Sequence, residues 1–544
     1  MKQYVIGVDF GTLSMRGVLM DALTGRELGQ IEKIYPHAVL DRALPDGTPL
    51  LPDFALQVPA DYRLALGGLK ELMASAGVEP GQVKGFCADF TSSTLLALDD
   101  KGRPLCEDPV FCREPHAYAK LWKHHGAVDQ TQRMQTLAQQ EKWLEQFGGR
   151  VPCEWALPKI LETLEQAPRV YENTRWFMEG GDYISLLLTG QVSRAACFAG
   201  FKSQWQRDGY AWESFLSALH PGLQDLPRVG WSGPVYPAGA CVGKVSPEGS
   251  ALSGLAVGTP VFTPMIDAHA SAPALGAVNE GDMMLVIGTS GVNVYQSGDA
   301  RPLPGILGNV MDSLVPGLAT YEAGQASVGD SFQWFVDTLA GADCHQKARE
   351  LGISVHQLLT QRAAELAPGE SGVVSLDWFN GNRNVLADYR LSGAFVGMTL
   401  STKPHHLYRS LLEGAAFGCR RIVEQFEAHG LAVKTLCAAG GIPQKNPLLM
   451  QIYADVLNRS IRVPVCSAPA ARGCCVVAAA AIGAHCDLSS AARALAIKEQ
   501  QLYVPQPASV KAYDRLYAYY RKLHDHFGVD HPEFMAGLRQ LGEK

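Results

Sequence analysis

The sequence has no CxxC pair, no block of like charges and no apolar run long enough to cross a bilayer. Each absence excludes something. Its 13 cysteines show no regular Cys/His ligand spacing, which argues against a zinc module or a disulfide framework and for reduced, packed thiols. Cys474 and Cys475 are neighbours, and a disulfide between neighbours would be strained. Charge is nearly balanced, with 47 Lys and Arg against 54 Asp and Glu and a net charge of −7. Spread thinly along the chain, that is not the basic footprint of a nucleic-acid binder. The run CCVVAAAAIGA from Cys474 covers roughly half a membrane span. In the opening stretch MKQYVIGVDFGTLSMRG, Asp9 interrupts the apolar run too early for a secretory signal. The expectation is a cytoplasmic protein with neither a membrane nor a nucleic-acid partner.

What is present is a chain of 544 residues, 47% of them apolar, enough for two or more domains with substantial cores. Residues 4–9 read as a short apolar strand. A Gly-Thr turn follows, then a strand from Arg16 to Asp21, a turn at Thr24-Gly25 and a third strand over 26–34. The pattern returns about 280 residues later. Residues 283–287 are apolar, Gly288-Thr289-Ser290 turn, and Val292 to Tyr295 resume a strand. Two hairpins with Gly-Thr tips suggest a duplicated architecture. Helical spacing marks 60–76, 155–166, 176–188, 330–339, 404–428, 446–457 and the tail from about 508, with a strand at 434–438. Residues 230–260 are rich in Gly, Pro, Ser and Val without helical period. The alternation indicates an α/β fold, divided into an N-terminal domain (1–264), a C-terminal domain (265–490) and a largely helical extension (491–544).

Asp9-Phe10-Gly11-Thr12 is the first chemical signal. Glycine lets a backbone approach a phosphate closely, successive N–H groups cradle its oxygens, and the Thr12 hydroxyl adds a donor. Asp9, at a strand end, can hold Mg²⁺ through water, since Mg²⁺ keeps several waters. Gly288-Thr289-Ser290 offers the same chemistry. Gly440-Gly441, after an apolar strand, permits close packing of a flat ring such as adenine. Asn446 and Gln451, on the next helix, can bond nucleotide or neighbouring backbone. Each of these features also reads as an ordinary turn. Asp267, between an apolar strand and the small residues Ala268, Ala270 and Ser271, suits either a proton acceptor facing a cleft or a helix N-cap.

The order of these features resembles the actin, hexokinase and Hsp70 superfamily. Within it, the chain is similar over nearly its full length to the FGGY family of carbohydrate kinases, and most similar to the ribulokinases among them. The segments that carry the closer match are GVDFGTLSMRGVLMD at 7–21, YPHAVLDR at 35–42, DFTSST at 89–94, KLWKHH at 120–125, AGFKSQW at 199–205 and IDAHASAPALGA at 266–277. EAGQASVGDSFQWFV at 322–336, LDWFNGNR at 376–383 and GGIPQKNPLLMQIYADV at 440–456 complete them. The resemblance implies two actin-like, hexokinase-like (ribonuclease H-like) domains flanking a cleft. It implies ATP and Mg²⁺ as cofactors, a small sugar as substrate and a possible homodimer. It makes Asp267 the catalytic base. Ser92, Lys202 and Glu322 match positions that contact the ketose, and Gly11, Thr12, Gly288, Thr289, Gly440, Gly441, Asn446 and Gln451 are assigned to the nucleotide. The implied reaction converts L-ribulose to its 5-phosphate. Gln325 is placed near the site with less support, and Trp122 is expected to form an apolar wall.

The chain departs from the family pattern at two places. Gly291-Val292-Asn293 follows the second turn where a Thr-Cys type sequence is usual. Across 467–484, Arg472-Gly473 replaces a Ser/Glu-Gln element and Ala478 stands where glycine is expected, which makes ATP affinity the property at issue. The alternatives are a kinase for another ketose or polyol (D-ribulose, xylulose, ribitol, erythritol), a non-catalytic sugar-binding regulator on the same fold, or an Hsp70-like or actin-like ATPase.

Overall fold

The computed structural model describes residues 3–139, 141–207 and 209–542. The first half is built on a seven-stranded sheet. Its strands are β1 (Tyr4–Phe10), β2 (Ser14–Asp21), β3 (Glu27–Ile34), β4 (Val83–Phe90), β5 (Cys241–Lys244), β6 (Pro260–Phe262) and β7 (Met265–Ile266). The order is β5-β6-β4-β1-β2-β3, with β7 also on β4. β1 to β3 are antiparallel, while β4 and β6 run parallel. β1 is buried on both faces, which explains its unbroken apolar run.

A second seven-stranded sheet repeats this plan. It comprises β8 (Asp282–Ile287), β9 (Gly291–Ser297), β10 (Asn309–Met311), β11 (Ala319–Gln325), β12 (Thr435–Ala439), β13 (Ile461–Pro464) and β14 (Gln500–Tyr503), in the order β10-β11-β9-β8-β12-β13-β14. The antiparallel run β11-β9-β8 followed by parallel β12 and β13 matches β3-β2-β1 followed by β4 and β6. The duplication inferred from two hairpin tips therefore extends through both sheets.

The helices that matter for the site are α1 (Ala156–Gln166), α2 (Gly180–Thr189), α3 (Ala196–Ser203), α4 (Asp267–Leu275), α5 (Gly329–Thr338), α6 (Pro404–Ala428), α7 (Pro447–Leu457), α8 (Pro469–Ala481) and α9 (Pro507–Asp525). Some differ from the sequence reading. The 60–76 helix is two, Pro59–Leu66 and Gly68–Ser75, separated at Gly67. The 176–188 segment opens as a strand, Trp176–Glu179, in a small separate sheet, and α2 starts only at Gly180. The 230–260 stretch holds a short helix, Pro247–Ser253, capped by Ser246. The tail beyond 491 is mostly helical, yet β14 forms the outer strand of the second sheet, and Tyr513, Tyr517 and Tyr520 are buried in that half's core.

Each sheet has its own apolar cluster, and a further cluster lies between the halves. Its centre is the α4–α8 pair. α8 follows β13 of the second sheet in sequence but lies against β1: a Cβ on Gly7 would sit 2.0 Å from the Ala471 carbonyl oxygen. A Cβ on Gly473 would sit 1.7 Å from the carbonyl oxygen of Ala270 on α4, so the two helix backbones touch and only glycine fits. Arg472 pairs with Glu27 and donates to the carbonyls of Gly25 (3.1 Å) and Leu495 (2.9 Å). Arg472-Gly473, a departure from the family pattern, thus serves the contact between halves. The cysteines are all free thiols.

Candidate active site

A cavity of about 270 Å³ opens between the halves. Ser92, Ser93, Trp122, Glu154, Lys202 and Asp267 line it from the first half, and Gly288, Thr289, Glu322, Arg383 and Tyr389 from the second. Six residues selected from sequence alone, Ser92, Lys202, Asp267, Gly288, Thr289 and Glu322, therefore meet on one cavity.

Asp267 reaches it because β7, paired with β4 at Asp89 and Phe90, ends there and α4 begins. Asp267 is the first helical residue, not the N-cap, which is Ile266. Its Oδ1 accepts from the Ala268 N–H at 2.7 Å, and Oδ2 has no hydrogen-bond partner among the described residues. Burial, reinforced by the nearby Asp9 carboxylate, pushes its pKa up to about 7. A carboxylate so raised is a stronger proton acceptor than a free aspartate and is about half ionised at pH 7.

Across the cavity, Lys202 in the last turn of α3 faces Glu322 on β11, Nζ to Oε1 at 3.4 Å. His269 Nε2 lies 3.3 Å from Glu322 Oε2 but is not aligned for a hydrogen bond. Its Nδ1 is 3.4 Å from the Cys197 sulfur. Burial alone would raise the pKa of Glu322, but Lys202, His269 and more distant Arg383 outweigh it and hold the carboxyl below its ordinary range. The pair crosses the interface, so the cavity floor exists only when the halves meet.

In each Gly-Thr tip the glycine N–H closes the turn, on the carbonyl three residues on in the first and two residues on in the second. The Gly11 N–H donates to Ser14 O and the Gly288 N–H to Ser290 O, both at 3.0 Å. These glycine N–H groups are used within their turns, while those of Thr12 and Thr289 have no acceptor among the described residues. The first tip is fixed by Gln57, whose amide donates to Thr12 O (2.7 Å), and by Trp122, whose indole N–H donates to Thr12 Oγ1 (3.3 Å). The second is fixed to the start of α5: the N–H groups of Val328 and Asp330 donate to Thr289 O, and that of Gly329 to Gly288 O. Asp9 stands opposite Asp89 in the β1–β4 register. Burial raises the pKa of both, that of Asp89 well above the carboxylate range.

Asp9, Gly11 and Thr12 are not part of the cavity lining, and Gly440, Gly441, Asn446 and Gln451 also lie outside it. Gly440 has φ 109°, and a Cβ there would meet the Ile287 carbonyl at 2.5 Å, whereas Gly441 faces open space. Asn446 caps α7, its Oδ1 accepting from the Leu449 N–H at 3.0 Å. Gln451 donates to Asp455 and to the Val504 carbonyl, each at 2.9 Å. Gln325 is also turned inward, to Asp377 and the Ala415 carbonyl. Sequence reasoning missed Glu154, Arg383 and Tyr389 as cavity residues. For Arg383 a signal existed, since it ends the LDWFNGNR segment.

The comparisons with known proteins agree with this architecture. Residues 283–482 match the model of the FGGY family of carbohydrate kinases, C-terminal domain. The chain is 41% identical to a ribulokinase of Geobacillus thermodenitrificans over 551 aligned positions, covering 100% of this chain and 98% of that protein. It is likewise 41% identical to a ribulokinase of Mycolicibacterium smegmatis, covering 99% and 96%. Among solved structures, the xylulose kinase of Rhodospirillum rubrum superposes with a TM-score of 0.80 at 27% identity, covering 98% of this chain and 100% of the other. The glycerol kinase of Plasmodium falciparum with ADP, at 14% identity and a TM-score of 0.75, shares the fold over 96% of this chain and 98% of its own.

Proposed function

The chain belongs to the FGGY family of carbohydrate kinases and is an ATP-dependent sugar kinase, and from that premise we propose that its acceptor is ribulose, with L-ribulose converted to L-ribulose 5-phosphate. The observation that carries the reading is the convergence of Asp267, Lys202 and Glu322 beside the Gly288-Thr289 turn. An acid–base group, a hydrogen-bonding ion pair for sugar hydroxyls and a phosphate turn then share one cavity. The names of the relatives support the choice of sugar.

In this reading the region up to about residue 264 contributes most sugar contacts and the first phosphate turn, and 265–490 the nucleotide contacts. Ser92, Lys202 and Glu322 hold the ketose. The free N–H groups and hydroxyls of Thr12 and Thr289 take phosphate oxygens, and Gly440-Gly441 borders the base. Asp267 accepts the proton of the attacking hydroxyl as the phosphoryl group transfers, a reaction that demands positioning more than covalent help.

The donor set also fits Mg²⁺. Among the described residues no group of three His, Cys, Asp or Glu could hold a metal unaided, so the ion would be carried mainly by phosphates and water. Asp9 would hold it, with Asp267 nearby, and when bound it neutralises charge on the phosphates. Among the described residues no helix is long and apolar enough to cross a membrane.

The test is an ADP-release assay with L-ribulose, D-ribulose, xylulose and ribitol. Highest kcat/KM with L-ribulose supports the reading. A preference for xylulose or ribitol replaces the acceptor while keeping the kinase, and no ADP release with any of them refutes it.

A further inference from the structure

Lys159, in the first turn of α1, is fully buried and makes no ion pair among the described residues. A buried ammonium without a carboxylate partner is costly, so what it does with its protons is informative. It donates to the carbonyl oxygens of Ser93, at 2.6 Å, and Leu121, at 2.7 Å. These belong to different segments, and each carries part of the cavity wall: Ser92 and Ser93 in the first, Trp122 immediately after Leu121 in the second. Ser93 has φ +58°, a left-handed conformation that a non-glycine residue adopts only when its surroundings hold it there. Trp122 in turn donates to Thr12 of the first phosphate turn. One ammonium thus joins the serine loop, the aromatic wall and, through Trp122, the phosphate turn.

Its surroundings fit that role. Glu179 is fully buried nearby, with neither carboxylate oxygen hydrogen-bonded, and burial pushes its pKa up to about 8. It does not draw Lys159 away from the two carbonyls. The neighbouring Lys120 is matched instead to Glu162, at 2.6 Å, and to Thr163.

We infer that Lys159 is a positioning residue for the acceptor sugar, holding the left-handed Ser92–Ser93 loop and the Trp122 wall in the geometry that receives it. This rests on the sugar-kinase reading above. It is distinct from a purely structural role, which would affect stability and leave the sugar constants alone.

The test is steady-state kinetics of Lys159→Met and Lys159→Gln beside wild type, with calorimetric titration of L-ribulose in the absence of nucleotide. Loss of the loop geometry should raise the sugar KM and dissociation constant at least about tenfold, while kcat at saturating sugar changes by less than about threefold and the KM for ATP, reached only through Trp122 and Thr12, rises less than the sugar KM. Glycine carries no steric penalty at a left-handed position. Ser93→Gly added to Lys159→Met should therefore recover part of the sugar affinity. Sugar constants equal to wild type, in whichever variant folds, overturn the inference, and so does failure of both variants to fold, which would assign Lys159 to stability alone. A wild type that neither binds nor phosphorylates the sugar would instead overturn the functional reading.

Discussion

Asp267→Asn changes the shape of the site little and its chemistry completely. The asparagine oxygen can keep the hydrogen bond from the Ala268 N–H, now made by Asp267 Oδ1 at 2.7 Å. What faces the cavity is then an amide that accepts no proton. Loss of a positioned base costs about 10²- to 10⁴-fold, so turnover should fall at least about a hundredfold with the sugar KM little changed. Stability should move the other way. The folded pKa of Asp267, about 7 against a model value of 3.8, lies above the unfolded one. The folded state therefore binds the proton more tightly, an advantage present at low pH and lost as pH rises from about 4 to 7. Above that range the wild type keeps a buried carboxylate ionised at a cost of about 4 kcal/mol, which the amide does not carry. The variant should melt higher than wild type at pH 8, with the gap closing toward pH 4. Wild-type kcat/KM should fall about tenfold per pH unit below about 7, and the variant's residual activity should lack that limb. ADP release and thermal melts over pH 5–9 read all of this. Near-normal turnover would remove Asp267 as the base, and a lower melting point at pH 8 would refute the burial argument.

Lys202→Met should raise the sugar KM about 10- to 100-fold and leave Glu322 as an unpaired buried charge; adding Glu322→Gln should restore melting temperature but not sugar affinity. Gly473→Ala places a Cβ 1.7 Å from the Ala270 carbonyl oxygen. It should cost about 3 kcal/mol or more by denaturant unfolding, and a wild-type midpoint would show that α4 and α8 do not touch. Glu179→Gln removes a buried carboxylate with a pKa near 8. Because that pKa is raised, the wild-type penalty grows with pH, so the stabilisation by glutamine should be about 2 kcal/mol larger at pH 8 than at pH 6; a pH-independent difference would argue against it.

Much of the fold was legible because both sheets rest on local patterns. The hairpins β1–β2 and β8–β9 declare themselves by apolar runs around Gly-Thr tips. Asp267, Lys202 and Glu322 were legible because each lies in a long family segment. The rest is lost for physical reasons. Glu154 and Arg383 become neighbours of one cavity only through the meeting of two halves; nothing in the local sequence announces Glu154, and the LDWFNGNR segment marks Arg383 without placing it at the cavity. The Trp176–Glu179 strand is apolar on most positions, so its period merges with that of α2. Asn446 and Gln451 hold a helix cap and a backbone anchor, roles that their spacing in the sequence did not announce. Lys159 reads from sequence as one more polar residue on an amphipathic helix, because its partners are carbonyls of distant segments.

The contact between Gly473 and Ala270 bears on how such a molecule can open. Ala270 lies three residues along α4 from Asp267, about 5 Å by helical rise. If the halves swing about that glycine contact as a fulcrum, displacement grows with distance from it. The Arg150 guanidinium, which donates to the Ala387 carbonyl across the halves at 3.0 Å, would have to release that bond for them to part. The Asp267 carboxylate, three residues from that contact, would move little, so each closure would bring the Gly288-Thr289 turn back to a carboxylate that has kept its place.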